Sequence, residues 1–163
     1  APPPALPPAG NVNTTAEFNI WVDPEAAHVV MESGIPMTMV GLDVTLKAAM
    51  VEADAAELRA CGTRAANFVA DLLDYMFRRR DKGLEDALMH DALALGAALC
   101  PECLVCKDCF VDVECFGQYT RGHTAVDLKG RSGKKPNVDV LRRADKERFL
   151  QMLREMMDWY TQH

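Results

Sequence analysis

One apolar stretch constrains the fold more than any other feature of this chain. Residues 35–42 are the one good candidate for a buried strand of a parallel sheet, with Pro36 near the start and Gly41 near the end. A parallel sheet needs several such strands, and helical patterns surround this one. The sequence therefore predicts an α/β fold, a mostly parallel sheet flanked by helices, of which the chain carries an incomplete part.

Capping residues predict where the helices begin and end. Asp23-Pro24-Glu25 is a typical helix start, and Gly34 ends the same helix. A long helical stretch is expected over residues 46–80 with a break at Cys61-Gly62, and another helix over residues 90–99. Asp145 is expected to cap a last helix. Its predicted apolar face consists of Phe149, Met152, Leu153, Met156, Met157 and Tyr160.

Three further strands are expected, over residues 110–114, 119–127 and 138–141. Residues 1–10 are mostly Pro and Ala, which predicts a disordered leader before a domain covering residues 11–163. No export signal is visible at this end, so the expected compartment is the cytoplasm, with six reduced cysteines.

Charge and hydropathy exclude two kinds of partner. The net charge of −6 argues against a nucleic-acid surface, which needs a basic stripe to neutralise phosphates. No apolar run reaches the roughly 20 residues that a bilayer span requires. Neither nucleic acid nor a membrane is therefore an expected partner.

Polar clusters near the N-terminus and at residues 90–91 carry a resemblance to a known family. Asn11 and the segments A-E-F-N-I (residues 16–20) and D-P-E-A-A (residues 23–27) resemble a signature of the inosine/uridine-preferring nucleoside hydrolases. T-M-V-G-L-D-V-T (38–45), H-D (90–91), V-D-V-E (111–114) and Y-T-R-G-H-T (119–124) follow in the family's order. The likeness covers nearly all of residues 10–160 and is to the C-terminal half of the fold.

The resemblance implies a site for a ribonucleoside. Asn11, Glu17 and Asn19 would bind the ribose hydroxyls, because carboxamides and carboxylates serve both directions of hydrogen bonding. His90 would be catalytic and help the nucleobase depart, and Asp91 would ligate calcium and touch a ribose hydroxyl. These residues are expected to converge on one pocket. The implied reaction is hydrolysis of the N-glycosidic bond in purine or pyrimidine salvage, by a homo-oligomer or together with the missing N-terminal half.

Each residue also has a purely structural interpretation. Asn11 and Asn13 can form turns, Glu17 and Asn19 can alternate along an edge strand, and His90-Asp91 can simply begin a helix. Two departures from the family also count. Ala92 replaces the Pro of H-D-P, and the aspartate-rich calcium loop D-x-D-x-G-x-D-D is nowhere in the sequence. The chain alone is therefore expected to be inactive, and an inactive remnant that at most binds ribose or nucleoside is the main alternative.

A run of cysteines supports a third hypothesis. Cys100, Cys103, Cys106 and Cys109 are spaced C-x2-C-x2-C-x2-C, close to an iron–sulfur or zinc motif. The last spacing is one residue short of the ferredoxin pattern, and Phe110 stands where its Pro would be. Free thiols are therefore the favoured interpretation.

In the family that the sequence resembles, the preference for one nucleobase over another is expected to depend on residues 81–89 and the last helix.

Overall fold

The computed structural model describes residues 10–80, 87–101 and 104–162. These form two compact units. The first, called here the sheet unit, consists of the described residues within 1–43 and 106–142; the second, the helical unit, consists of those within 44–105 and 143–163. Each unit is described by itself. The predicted leader lies, apart from Gly10, outside the described residues.

The sheet unit contains helices α1 (Phe18–Val22) and α2 (Pro24–Glu32) and most of a four-stranded sheet of order β1-β4-β2-β3. The strands are β1 (Thr38–Met39), β2 (Leu104–Val113), β3 (Thr124–Asp127) and β4 (Val138–Ala144). β1 pairs in parallel with β4, and β2 pairs antiparallel with β3. The fold class predicted from the sequence, α/β with an incomplete sheet, is confirmed.

The strand expected over residues 35–42 is much shorter than predicted. Only Thr38 and Met39 pair, Thr38 is exposed, and Leu42 already begins helix α3 (Leu42–Thr45). Because β1 lies at an edge of the described sheet, it has one neighbouring strand, and Pro36 cannot donate to a ladder. An apolar run is therefore not sufficient to define a central strand.

Alternation along the strands builds the core of the sheet unit. Cys109, Val111 and Val113 of β2 point to one face and pack with Val138 and Val140 of β4. Met31 of α2 closes this core. Asp23 starts α2 as predicted, since its Oδ1 accepts from the Ala26 amide at 2.9 Å.

Asn137 joins three parts of this unit through one side chain. Its Oδ1 accepts from the Val111 amide at 2.7 Å, and its Nδ2 donates to the carbonyls of Val111 (2.9 Å) and Met31 (3.0 Å). Its own amide donates to the Cys109 carbonyl at 3.1 Å. The residue before β4 therefore pairs with β2 and satisfies a carbonyl near the end of α2.

The helical unit contains α4 (Glu52–Ala60), α5 (Arg64–Arg80), α6 (His90–Leu99) and α7 (Lys146–Gln162), with a 3-10 turn at Leu46–Ala48. The predicted break near Cys61-Gly62 is confirmed, and Gly62 has φ +71° there. α4 packs on α5, and α7 contacts α5 and α6. Arg59 of α4 binds Asp71 and Asp74 of α5 at 2.9 and 2.7 Å.

The predicted face of α7 is only partly correct. Phe149, Leu153 and Met157 are buried, as is Leu150, which the prediction omitted. Met156 and Tyr160 are exposed by 37% and 61%. Met156 and Tyr160 follow the same spacing of three and four residues as Phe149 and Leu153, so the helical period alone does not decide whether a position on this face is covered. Within the described ranges, no helix combines the length and apolarity that a bilayer crossing requires.

We expect Asn137→Ala to lower the free energy of unfolding by about 2 to 3 kcal/mol, because partly buried backbone groups of Val111 and Met31 lose their partners. Urea denaturation of the variant measures this loss. Gln118→Ala, at an exposed turn position, is the matched control and is expected to stay within about 0.5 kcal/mol. Equal effects of the two substitutions would contradict the role given to Asn137.

Asp112 predicts a dependence of stability on pH. Partial burial raises the pKa of Asp112, but the hydrogen bonds from His28 (2.6 Å) and the Val113 amide (2.7 Å) outweigh it and leave the pKa below its usual value. A lowered pKa stabilises the fold above the unfolded pKa of about 3.9, and this contribution is lost as the pH falls through the folded pKa.

We therefore expect Asp112→Asn to lose less stability than the wild type when the pH is lowered below about 4. Thermal melts over a pH series measure the difference. Asp108→Asn changes an exposed carboxyl of the same strand and is the control. Parallel pH curves for wild type and Asp112→Asn would show that the contact with His28 contributes nothing.

Candidate functional site

The residues proposed to bind ribose form one turn in the sheet unit. Asn11 Oδ1 accepts from the Phe18 amide at 2.9 Å, and Asn13 Oδ1 accepts from the amides of Thr15 (2.8 Å) and Ala16 (2.7 Å). The interpretation of Asn11 and Asn13 as turn formers is therefore confirmed. It leaves the Asn11 Nδ2 group outside these bonds, so the structural role and ligand binding are compatible.

Glu17 caps the short helix that follows this turn. Its backbone is extended (φ −83°, ψ 149°), and its Oε2 accepts from the amides of Asn19 (2.8 Å) and Ile20 (3.3 Å). The alternative of an edge strand alternating through Glu17 and Asn19 is wrong, because this carboxylate satisfies the first amides of α1. Asn11, Glu17 and Asn19 thus lie within nine consecutive residues, along a single turn and helix start.

Gly10 and Gly122 lie against this turn, and their lack of a side chain leaves the space that the turn occupies. Ala16 is fully buried and forms an antiparallel bridge with His123. Gly122 has φ +84°, and a Cβ there would lie 3.0 Å from the Trp21 Cα and 3.1 Å from the Ala16 Cβ. A Cβ on Gly10 would fall on the backbone of Ala16. The sequence motif contained Gly122, but no local pattern shows that it faces α1.

The other motif residues of the sheet unit act as structural ties. Arg121 binds the Glu25 carboxylate through both of its terminal nitrogens, at 2.6 and 2.9 Å. Glu114 accepts from the amides of Phe116 (2.7 Å) and Gly117 (3.0 Å), and these bonds lower the pKa of Glu114. The V-D-V-E and T-R-G segments therefore tie the end of β2 to the turn that follows it and to α2.

His90 and Asp91 occupy the first turn of α6 in the helical unit. Both are exposed, and Met89 at the N-cap offers no side-chain cap. The interpretation of this pair as a helix start is confirmed. His90 Nδ1 lies 2.8 Å from Oγ1 of Thr45, whose side chain is 3% exposed. Thr45 ends α3 and was not singled out from the sequence, since 45 residues separate it from His90.

The described residues do not by themselves make a calcium site. Calcium takes six to eight oxygen ligands. Among residues 10–80, 87–101 and 104–160, no three His, Cys, Asp or Glu side chains are grouped so that they could hold a metal ion. Asp91 is therefore a single carboxylate among the described residues, and these residues alone do not fit calcium.

The expectation of six reduced cysteines is wrong. Cys100 is disulfide-bonded, so it is not a free thiolate for a metal cluster. Cys61, Cys106, Cys109 and Cys115 are free thiols. Cys103 lies outside the described residues, as do residues 81–86 of the loop expected to govern base preference.

Comparisons with known proteins agree with this architecture. The fold matches a purine-preferring ribonucleoside hydrolase from Gardnerella vaginalis with TM-score 0.76 and 32% identity, over 91% of this chain and 48% of that one. It matches an inosine-guanosine nucleoside hydrolase with TM-score 0.77 and 30% identity, over 93% and 48% of the two chains. The fold is therefore that of a nucleoside hydrolase in part.

Sequence comparison is consistent with the structural match. The model of the inosine-uridine preferring nucleoside hydrolases matches residues 5–151. A pyrimidine-specific ribonucleoside hydrolase, RihA of Salmonella agona, is 42% identical over 155 residues, which are 93% of this chain and 50% of that protein. The chain belongs to the inosine-uridine preferring nucleoside hydrolase family, and it spans about half the length of the curated relatives it matches.

The cap at α1 gives a prediction on stability that is independent of any ligand. Glu17→Ala is expected to lower the free energy of unfolding by about 1 kcal/mol, because the first amides of α1 lose their acceptor. Glu17→Gln keeps a side-chain oxygen and is expected to lose less. Urea denaturation measures both, with Glu32→Ala at an exposed position of α2 as the control. An unchanged free energy of unfolding in Glu17→Ala would show that the cap is dispensable.

Proposed function

We propose that this chain supplies the ribose-binding and leaving-group residues of an enzyme that hydrolyses the N-glycosidic bond of ribonucleosides. The observation that carries the proposal is the 42% identity to a ribonucleoside hydrolase over a stretch that contains Asn11, Glu17, Asn19, His90 and Asp91, the positions that resemble the family's motifs. The relatives include a pyrimidine-specific and a purine-preferring enzyme. The proposed substrate class is therefore a ribonucleoside of either kind.

The ribose side of the proposal uses groups that the turn leaves available. The cap bonds of Glu17 both end on Oε2, so its other carboxylate oxygen takes no part in them. Asn11 Nδ2 is likewise outside the bond to Phe18, and Asn19 is exposed. One carboxylate oxygen and two carboxamides can accept from and donate to vicinal hydroxyls, which orients the sugar for attack at its anomeric carbon.

His90 is assigned to the departing base. As water gives a proton to a general base outside this chain and bonds to the anomeric carbon, the bond from that carbon to the nucleobase nitrogen breaks and its electron pair goes to the nucleobase. A proton from the His90 imidazolium Nε2 then neutralises the developing charge. The exposed position of His90 at the start of α6 suits this role, because the ring must reach a ligand outside the helical unit's core.

Calcium belongs to the proposal as the family's metal, with Asp91 as one ligand. Since the sequence lacks the family's aspartate-rich calcium loop, the proposal assigns the remaining oxygen ligands to polypeptide outside the 163 residues. The same polypeptide would bring the base that activates water. Activity of this chain alone is therefore not expected. Nucleoside salvage in the cytoplasm, in a homo-oligomer or with a complementary half, completes the proposal.

A second candidate is a remnant that binds ribose or nucleoside without turnover. The observation that favours it is the same missing ligand set, since no group of three potential metal ligands is found in the described ranges. The two candidates differ in one respect. Only the enzyme regains turnover when the absent half of the fold is supplied.

We expect turnover when the chain is mixed with calcium and the part of the Salmonella agona hydrolase that it does not match. Release of a chromogenic base from a nucleoside measures the rate. His90→Ala is expected to lower kcat by about 100-fold or more, the usual contribution of a general acid. Asp108→Asn, an exposed carboxyl on β2, should leave the rate unchanged.

Two outcomes would contradict the proposal, the first its enzymatic activity and the second the role of His90. Stable complex formation without turnover, together with a ribose-induced rise in melting temperature, would establish the binding remnant. Full activity of His90→Ala would remove His90 from the chemistry.

A further inference from the structure

We propose that Thr45 is a positioning residue for His90: its hydroxyl oxygen accepts from Nδ1–H and thereby keeps Nε2 as the nitrogen that faces the departing base. This inference rests on the proposed function, in which His90 serves the leaving group. The observation is the 2.8 Å contact between Thr45 Oγ1 and His90 Nδ1 inside the helical unit.

Burial makes Thr45 a fixed point for an otherwise exposed ring. Thr45 is 3% exposed and lies at the junction of α3 and the 3-10 turn, where its side chain makes no cap bond to the turn. His90 stands in the first turn of α6, and Met89 before it provides no cap. An exposed histidine otherwise rotates freely about two side-chain torsions, and one hydrogen bond at Nδ1 removes much of that freedom.

The chemistry decides the direction of the bond, because 2.8 Å fits either tautomer. When a histidine gives up the proton on Nε2, the ring passes from two N–H groups to one. Only an Nδ1–H bond exists both before and after that transfer. Thr45 as acceptor therefore keeps the ring oriented throughout the step. If Thr45 instead donated to Nδ1, the hydrogen bond would break whenever the ring is doubly protonated, because Nδ1 then carries a hydrogen and cannot accept.

The tautomer can be measured without any turnover. In the 163-residue chain at alkaline pH, where imidazole rings are neutral, 15N–1H correlation spectra distinguish Nδ1–H from Nε2–H. His90→Gln identifies the His90 signals among the four histidines. We expect Nδ1–H as the major form of His90. A wild-type spectrum dominated by Nε2–H would overturn the proposal, whether or not the complemented enzyme is active.

Variants of Thr45 separate positioning from packing. Thr45→Val keeps the side-chain shape, removes the oxygen and should shift His90 toward the Nε2–H form. Thr45→Ser keeps the oxygen and should retain Nδ1–H. In the complemented assay we expect kcat to fall about tenfold for Thr45→Val, with KM little changed, and Thr45→Ser to restore most of it. An unchanged tautomer in a folded Thr45→Val would overturn the proposal.

The spectra test the role of Thr45 and the assay tests the proposed function, so one proposal can fail without the other. Nδ1–H in the wild type, lost in Thr45→Val, supports the positioning role even if the mixed halves show no turnover, and that result would count against the proposed function alone. Turnover with a tautomer insensitive to Thr45→Val would support the function and reject the role of Thr45.

Discussion

The paired hydrogen bonds of Asn137 to Val111 are the interaction on which the sheet unit depends. One carboxamide imitates a backbone peptide beside β2 and also satisfies a carbonyl of Met31 in α2. The core residues of β2 and β4 face each other only while these elements keep that register. Since α2 follows α1 directly, the turn that carries Asn11 and Glu17 is attached to the same framework.

Local chemistry made much of this fold predictable. Asp23-Pro24 fixed the start of α2, the break at Cys61-Gly62 separated α4 from α5, and α6 was expected over the residues it occupies. The errors arose where packing between distant segments decides the outcome. The length of β1 depends on having one neighbouring strand, and the exposure of Tyr160 depends on where along α7 the other helices lie.

The candidate site was predictable as a set of residues but not as a set of contacts. The family resemblance identified His90, while Thr45 had no stated role, because nothing in a sequence marks a hydroxyl 45 positions away as a partner. Glu17 shows the reverse problem. Its carboxylate serves the backbone of α1, so a loss of activity in a Glu17 variant does not by itself demonstrate contact with a sugar. Separating the two roles requires stability and affinity to be measured on the same protein.

The lack of space around Ala16 limits how this turn can be altered. With glycine at positions 10 and 122 and a buried methyl group between them, there is no volume for an added side chain on either side. Substitutions that leave this turn intact are therefore confined to outward-facing positions such as Thr14. A fluorescent or spin label placed at either glycine would report on a distorted loop rather than on the native one.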